Sequence, residues 1–159
     1  MSIWAEIKHS INSDLNKPLN ELINGTKGLA ASNNLYATLY SSKTIYAPEV
    51  TFNIPVKATF HWGGSFNLKC DLYTNANQEN SSAYVPSLII YKNSTEYKTL
   101  DGTYYDKDHS RSIECLCSPG DIFTFVFKRS NKSNVSATLS DLGIYADLID
   151  VSGVTIESI

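Results

Sequence analysis

Ser65-Phe66-Asn67-Leu68-Lys69-Cys70-Asp71-Leu72-Tyr73 is the stretch that decides the fold class. Phe66, Leu68, Cys70 and Leu72 alternate with Ser65, Asn67, Lys69 and Asp71, so an extended chain sends the first set one way and the second the other. A helix would scatter both sets around its circumference. Gly63-Gly64 just before it is a hairpin turn signal. The same period of two recurs on both sides, in Tyr36-Ala37-Thr38-Leu39-Tyr40, Val50-Thr51-Phe52-Asn53-Ile54 and 57–62 upstream, and in 84–91, 112–117, 122–128, 135–139 and 142–148 downstream. Lys92-Asn93-Ser94, Asp101-Gly102 and Ser118-Pro119-Gly120-Asp121 supply turns between them. About eight to ten short strands with turns at this spacing predict an all-β fold, an antiparallel jelly-roll-like β-sandwich. Phe66, Leu68, Cys70, Leu72, Ile89, Cys115, Cys117, Phe123, Phe125 and Phe127 are expected to face inward.

The N-terminus follows a different period. Trp4, Ile7, Ile11 and Leu15 recur at helical spacing with Glu6, Lys8, Asn12 and Asp14 between them, and Ser2 suits an N-cap. Pro18 breaks this helix and fits the first turn of a second, whose apolar face is Leu19, Leu22 and Ile23 and whose end is Asn24-Gly25. The chain therefore divides into a helical segment over 1–24, a connection over 25–34 and the sandwich over 35–159. So short a stripe is not stable alone. Trp4, Ile7, Ile11 and Leu15 are accordingly expected to dock or oligomerise the chain, or to cover a face of its own sandwich.

Composition narrows the function. The chain has 159 residues, of which 18% are charged, and Ser, Thr and Asn together make up 46 (20 + 12 + 14). Hydroxyls and amides thus do much of the solubilising. A net charge of −3 offers nucleic acid or anionic lipid no overall attraction. The longest apolar run, Ser87-Leu88-Ile89-Ile90-Tyr91, is strand-sized and far short of the roughly 20 residues of a membrane span. Charged residues interrupt the opening segment, so no signal peptide is expected and the chain is expected to be made in a cytoplasm. Three cysteines without secretory context are expected to stay reduced and buried. Five Asn-X-Ser/Thr triplets are close to what the composition yields by chance.

No phosphate loop, nucleophile elbow or zinc-protease motif is present, so a non-enzyme with no cofactor and no metal is expected. Asp106-Lys107-Asp108-His109 is the densest group of candidate ligands; it reads as solvated turn charge, with a calcium loop as the alternative. Trp62, Tyr104 and Tyr105 are the candidate ligand-binding residues. Adjacent tyrosines on a strand face opposite ways, which leaves one ring for a sugar face or a subunit contact. Core packing is the competing role for Trp62 and for the other tyrosine.

Two motifs carry a family resemblance. Met1-Ser2-Ile3-Trp4-Ala5-Glu6-Ile7-Lys8 with Ile11-Asn12-Ser13 resembles the opening of small phage and prophage proteins of Gram-positive bacteria. Ile90-Tyr91-Lys92-Asn93 and Ser118-Pro119-Gly120-Asp121-Ile122-Phe123 resemble their β-sandwich, where a strand ends in Tyr-Lys-Asn-Gly and a Pro-Gly-Asp turn opens the next. Ser94 stands where that hairpin has Gly, and the loop from Asp106 to His109 has no counterpart. The resemblance implies a tail-fibre or baseplate appendage, non-enzymatic, located in a virion, contacting other virion proteins and trimeric before other homo-oligomers. The alternative is a carbohydrate-binding module or adhesin that recognises a cell-surface glycan.

Overall fold

The computed structural model describes residues 28–76, 84–132, 134–148 and 153–159. Its strands are β1 (Leu29–Ile45), β2 (Thr51–Asn53), β3 (Val56–Phe60), β4 (Gly64–Thr74), β5 (Ser87–Lys92), β6 (Thr95–Asp101), β7 (Ser110–Cys117), β8 (Ile122–Lys128), β9 (Ala137–Leu148) and β10 (Val154–Ser158). They form two sheets, one ordered β1-β9-β4-β7 and the other β10-β3-β8-β5-β6, with β2 on β8. Pairing is antiparallel apart from one residue pair between β1 and β4 (Leu29 with Gly64) and an isolated bridge from Tyr73 to Thr103. β2 and β3 both pair with β8 and are interrupted at Ile54-Pro55, where a proline has no N–H to give to a ladder. The chain is an all-β sandwich.

The inner faces meet as the alternation requires. Phe66, Leu68, Cys70 and Leu72 of β4 and Phe123, Phe125 and Phe127 of β8 are buried. Phe66 stacks on Phe60 at 4.7 Å, and Phe123 meets both edge-on at 5.0 and 5.3 Å, so one aromatic cluster bridges the two sheets. Ile89 corrects the expected core. Leu88 and Ile90 lie opposite Phe127 and Phe125 and are buried, while Ile89 lies opposite Val126 on the outer face, half-buried. An unbroken apolar run has no parity of its own, and pairing with β8 sets it.

The sheet also begins earlier than alternation indicates. Residues 29–34, expected as connection, belong to β1 and pair with β9, with register shifts from Ala31 to Tyr40. Beyond the buried Leu29, polar side chains hold this part. Asn34 Nδ2 donates to Asp147 Oδ1 at 2.7 Å, Asn67 Nδ2 to the Ser32 carbonyl at 3.1 Å, and Lys69 Nζ to Asn33 Oδ1 at 2.6 Å. The expected helical segment over 1–24, with Trp4, Ile7, Ile11 and Leu15, lies outside the described residues.

All three thiols are free and buried. Burial pushes Cys70 and Cys115 up to about 12 and Cys117 up to about 11. Cys115 and Cys117 lie on the inner face of β7, and Cys117 Sγ donates to the Trp62 carbonyl at 3.5 Å.

The sandwich has two unlike ends. At one, β5 turns into β6 through Asn93 and Ser94, at φ 51° and 67°, and β7 turns into β8 through 118–121. Asp121 joins these turns: Oδ1 accepts from Asn93 Nδ2 at 2.8 Å and Oδ2 from the Ser118 amide at 2.8 Å, while Asn93 Oδ1 accepts from the Ile122 amide at 2.9 Å. At the other end lie 46–50, 75–76, 84–86, 102–109, 129–132 and 134–136. Buried Arg129 gathers part of that end, donating to the carbonyls of Glu49, Ser130 and Val135.

Candidate functional site

The polar half of the alternation in β4 builds the site. Lys69, Asp71 and Tyr73 share its outer face, each roughly 6.6 Å from the next at two residues of strand rise. β7 runs along one side, with Ser112 opposite Lys69 and Ser110 opposite Asp71. β9 runs along the other, with Gly143 opposite Lys69 and Ser140 opposite Asp71. The steps from Lys69 to Asp71 and from Gly143 to Ser140 differ by one residue, so β9 bulges there. Asp141 lies in the bulge at φ 53°, a left-handed conformation that aspartate tolerates better than most residues.

Gly143 shapes the surface. A Cβ at this position would come 3.0 Å from Leu35 Cδ1 and 3.1 Å from both the Ala37 carbonyl and Tyr145 Cε2. Leu35, Ala37 and Tyr145 thus close over the glycine backbone, and beside them lies a trough of about 310 Å³ bordered by Leu35, Thr38, Lys69, Asp71, Asp141 and Tyr145. Lys69 Nζ sits 4.8 Å from the centre of the Tyr145 ring. Among the described residues, neither the Asp71 nor the Asp141 carboxylate accepts a hydrogen bond.

One step along β4 the surface becomes aromatic. His109 stacks on Tyr73 with centroids 3.7 Å apart and planes at 10°, and Tyr105 leans against both at 6.2 and 6.0 Å. His109 Nε2 lies 2.7 Å from the Tyr105 carbonyl, which only accepts, so the proton is on Nε2. The loop is pinned to the end of β4 by the Thr74 amide donating to the Thr103 carbonyl and the Thr103 amide to the Leu72 carbonyl. Tyr105 keeps 54% of its surface exposed in this shelf.

The expected ligand residues are not brought together. Tyr105 is exposed and Tyr104 half-buried, as expected for one ring of the pair, but they lie in a turn after the Thr103 bridge and not in a strand. Trp62 is half-buried at the start of β4, about 30 Å away along the strand from the Tyr73 end. In the 106–109 group, Asp108 Oδ1 accepts from the Ser110 amide at 3.0 Å and its carbonyl accepts from Arg111 Nη2 at 3.2 Å, so Asp108 shapes its own loop. No group of three or more His, Cys, Asp or Glu among the described residues is placed to hold a metal ion. Sequence reasoning passed over Lys69, Asp71, Tyr73, Tyr145 and Gly143, and read His109 as turn charge. The available signal was the outward half of 65–73, which ends on an aromatic.

No protein-family model matches the chain, and no curated protein matches it. Solved structures with a related outline include a family 35 carbohydrate-binding module from an environmental isolate, at 11% identity and a TM-score of 0.46 over 82% of this chain and 98% of that one. Another is a Paenibacillus cycloisomaltooligosaccharide glucanotransferase complexed with cycloisomaltoheptaose, at 14% and 0.37 over 77% of this chain and 18% of that one. A third is the EclA C-terminal domain, a sugar-binding protein, at 11% and 0.32 over 75% and 72%. None of the three reaches a TM-score of 0.5, and none bears on what this chain binds.

Proposed function

We propose that the chain is a non-catalytic sugar-binding module whose ligand rests on the shelf of Tyr73, Tyr105 and His109. The exposed Tyr105 ring beside the stacked Tyr73–His109 pair carries this reading. Pyranose rings present C–H faces to aromatic planes, and flanking carboxylates and hydroxyls then bind their OH groups. The jelly-roll connectivity belongs to the same proposal: the orders β1-β9-β4-β7 and β3-β8-β5-β6 interleave as two Greek keys, with β10 and β2 added.

A second reading, a displayed virion appendage, draws on one observation. Leu29 enters the sandwich beside Gly64, at the end opposite the shelf, so attachment through the preceding residues leaves the shelf facing outward. The two readings are compatible, since an attachment appendage needs a receptor site.

The test is retention of the full chain on immobilised cell-surface glycans, with Tyr105→Ala as the control. Retention that falls up to about tenfold in the variant, with unchanged thermal melting, supports the shelf; an aromatic stacking contact is worth about 0.5–1.5 kcal/mol. Equal retention of both proteins contradicts it.

A further inference from the structure

We propose that the trough over Gly143 is a second sugar subsite continuous with the shelf, so that the ligand is a neutral oligosaccharide lying along the outer face of β4. This rests on the sugar-binding reading and extends it from a terminal sugar to a chain of several units. Continuity comes first. Asp71 and Ser110 border the trough, and the shelf begins at Tyr73 and His109, the next outward residue of β4 and the adjoining residue of the loop before β7.

Space is the second argument. Gly143 lets Leu35 and Tyr145 pack close over its backbone, and these two, with Leu35 left 56% exposed, wall the hollow. Its volume of about 310 Å³ lies at the lower edge of ligand pockets, roughly 300–1,000 Å³, enough for one ring. Further units must therefore lie elsewhere, and the shelf is adjacent.

Polarity sets the ligand class. The trough offers Lys69 as a donor and Asp71 and Asp141 as acceptors with unused lone pairs, which suits hydroxyls that both donate and accept. Of the three charged residues that line it, two are carboxylates, Asp71 and Asp141, against Lys69. Carboxylates outnumber cations, so uronate or sulfated units are repelled and neutral units are not.

The experiment uses the full chain on an immobilised library of neutral, amino and acidic oligosaccharides of one to six units, followed by calorimetric titration of the best-retained series. Asp71→Ala, Ser110→Phe and Tyr105→Ala are titrated alongside wild type. Affinity is expected to rise from one to three units and to favour neutral chains. Asp71→Ala and Ser110→Phe should each weaken the longer chains about tenfold and flatten the length dependence, as loss of a charge-assisted hydrogen bond or of the space requires. Tyr105→Ala should weaken every length. Among the described residues Asp71 accepts no hydrogen bond, so its variant reports on the subsite even where Ser110→Phe fails to fold. Wild-type binding of the longer chains by Asp71→Ala, with Tyr105→Ala still defective, overturns the second subsite and leaves the shelf standing. Preference for acidic chains overturns it as well. No retention of any member by wild type removes the parent reading and this one together.

Discussion

The two ends of the sandwich use their polar and aromatic side chains in opposite ways. At the tight-turn end, Asn93, Ser118 and Asp121 spend their hydrogen-bonding groups on one another, and Phe60, Phe66 and Phe123 close the core directly behind them. At the long-loop end, backbone hydrogen bonds pin the 102–109 loop to β4 while Tyr105 stays open, and among the described residues the Asp71 carboxylate accepts no hydrogen bond. One end is committed to stability; the other keeps recognition groups free on a rigid frame. Such a division places a binding site where loops are held by a scaffold but their side chains are not consumed by it.

The comparison breaks most readily at the thiols. With Cys70 and Cys115 pushed from 9.0 to about 12, their thiolate fraction at pH 8 is about a thousandfold below that of an ordinary cysteine. Native protein should take up essentially no iodoacetamide in an hour at pH 8, and all three cysteines should react in denaturant. Cys117, at the turn end and pushed only to about 11, should be the first native site labelled. Rapid native labelling of Cys70 would show that the core is open at mid-strand.

Core truncation comes next. Phe123→Ala removes the ring that meets Phe60 and Phe66 edge-on, and should cost about 3–5 kcal/mol. Melting should fall by roughly 6–20 °C, against a change within about 0.5 kcal/mol for Tyr105→Ala. Equal losses from the two variants would erase the distinction between the ends.

Asp121→Ala should cost about 1 kcal/mol near neutrality. Desolvation pushes its carboxyl up, but hydrogen bonds from Asn93 and Ser118, with Lys92 nearby, hold it below the ordinary 3.8. The contribution is therefore full above about pH 4 and drains away as pH falls through the folded-state value. The gap in melting temperature between wild type and variant should narrow from pH 6 to pH 2.5. A gap that widens on acidification contradicts this account of the turn.

Ser94→Gly has the smallest expected effect and the opposite sign. Ser94 sits at φ 67° as the second residue of the hairpin turn, where glycine meets no Cβ penalty. A gain of roughly 0.5–1 kcal/mol is expected by denaturant melting, after the entropy that glycine adds to the unfolded chain. A loss would mean that the serine makes a contact worth more than the strain.

Much of the fold was legible because strand parity is a short-range signal. In β4 one face is apolar and the other polar, and in β8 every second residue is a phenylalanine, so the inward set could be named residue by residue. Leu88-Ile89-Ile90 is apolar throughout, and only its pairing with β8 decides that Ile89 points out. Residues 29–34 hide their strand because Asn33 and Asn34 anchor it by hydrogen bonds, which leave no periodic trace. The site was less legible for the same reason. Tyr105 was readable as one of two adjacent tyrosines, but Asp71 and Tyr73, His109, and Gly143 come from three chain segments that only the sheet registers align. Trp62 looked equivalent to the tyrosines, yet the length of β4 puts it at the other end.

The most direct test of the central claim is the map of amide chemical-shift changes when the isotope-labelled full chain is titrated with its best-retained neutral oligosaccharide. The account predicts that the largest changes fall on 69–73, 103–112 and 141–145, with Trp62, Asn93 and Asp121 unmoved. Changes concentrated at 61–64, 93–94 and 118–121 would place the ligand at the tight-turn end and contradict it.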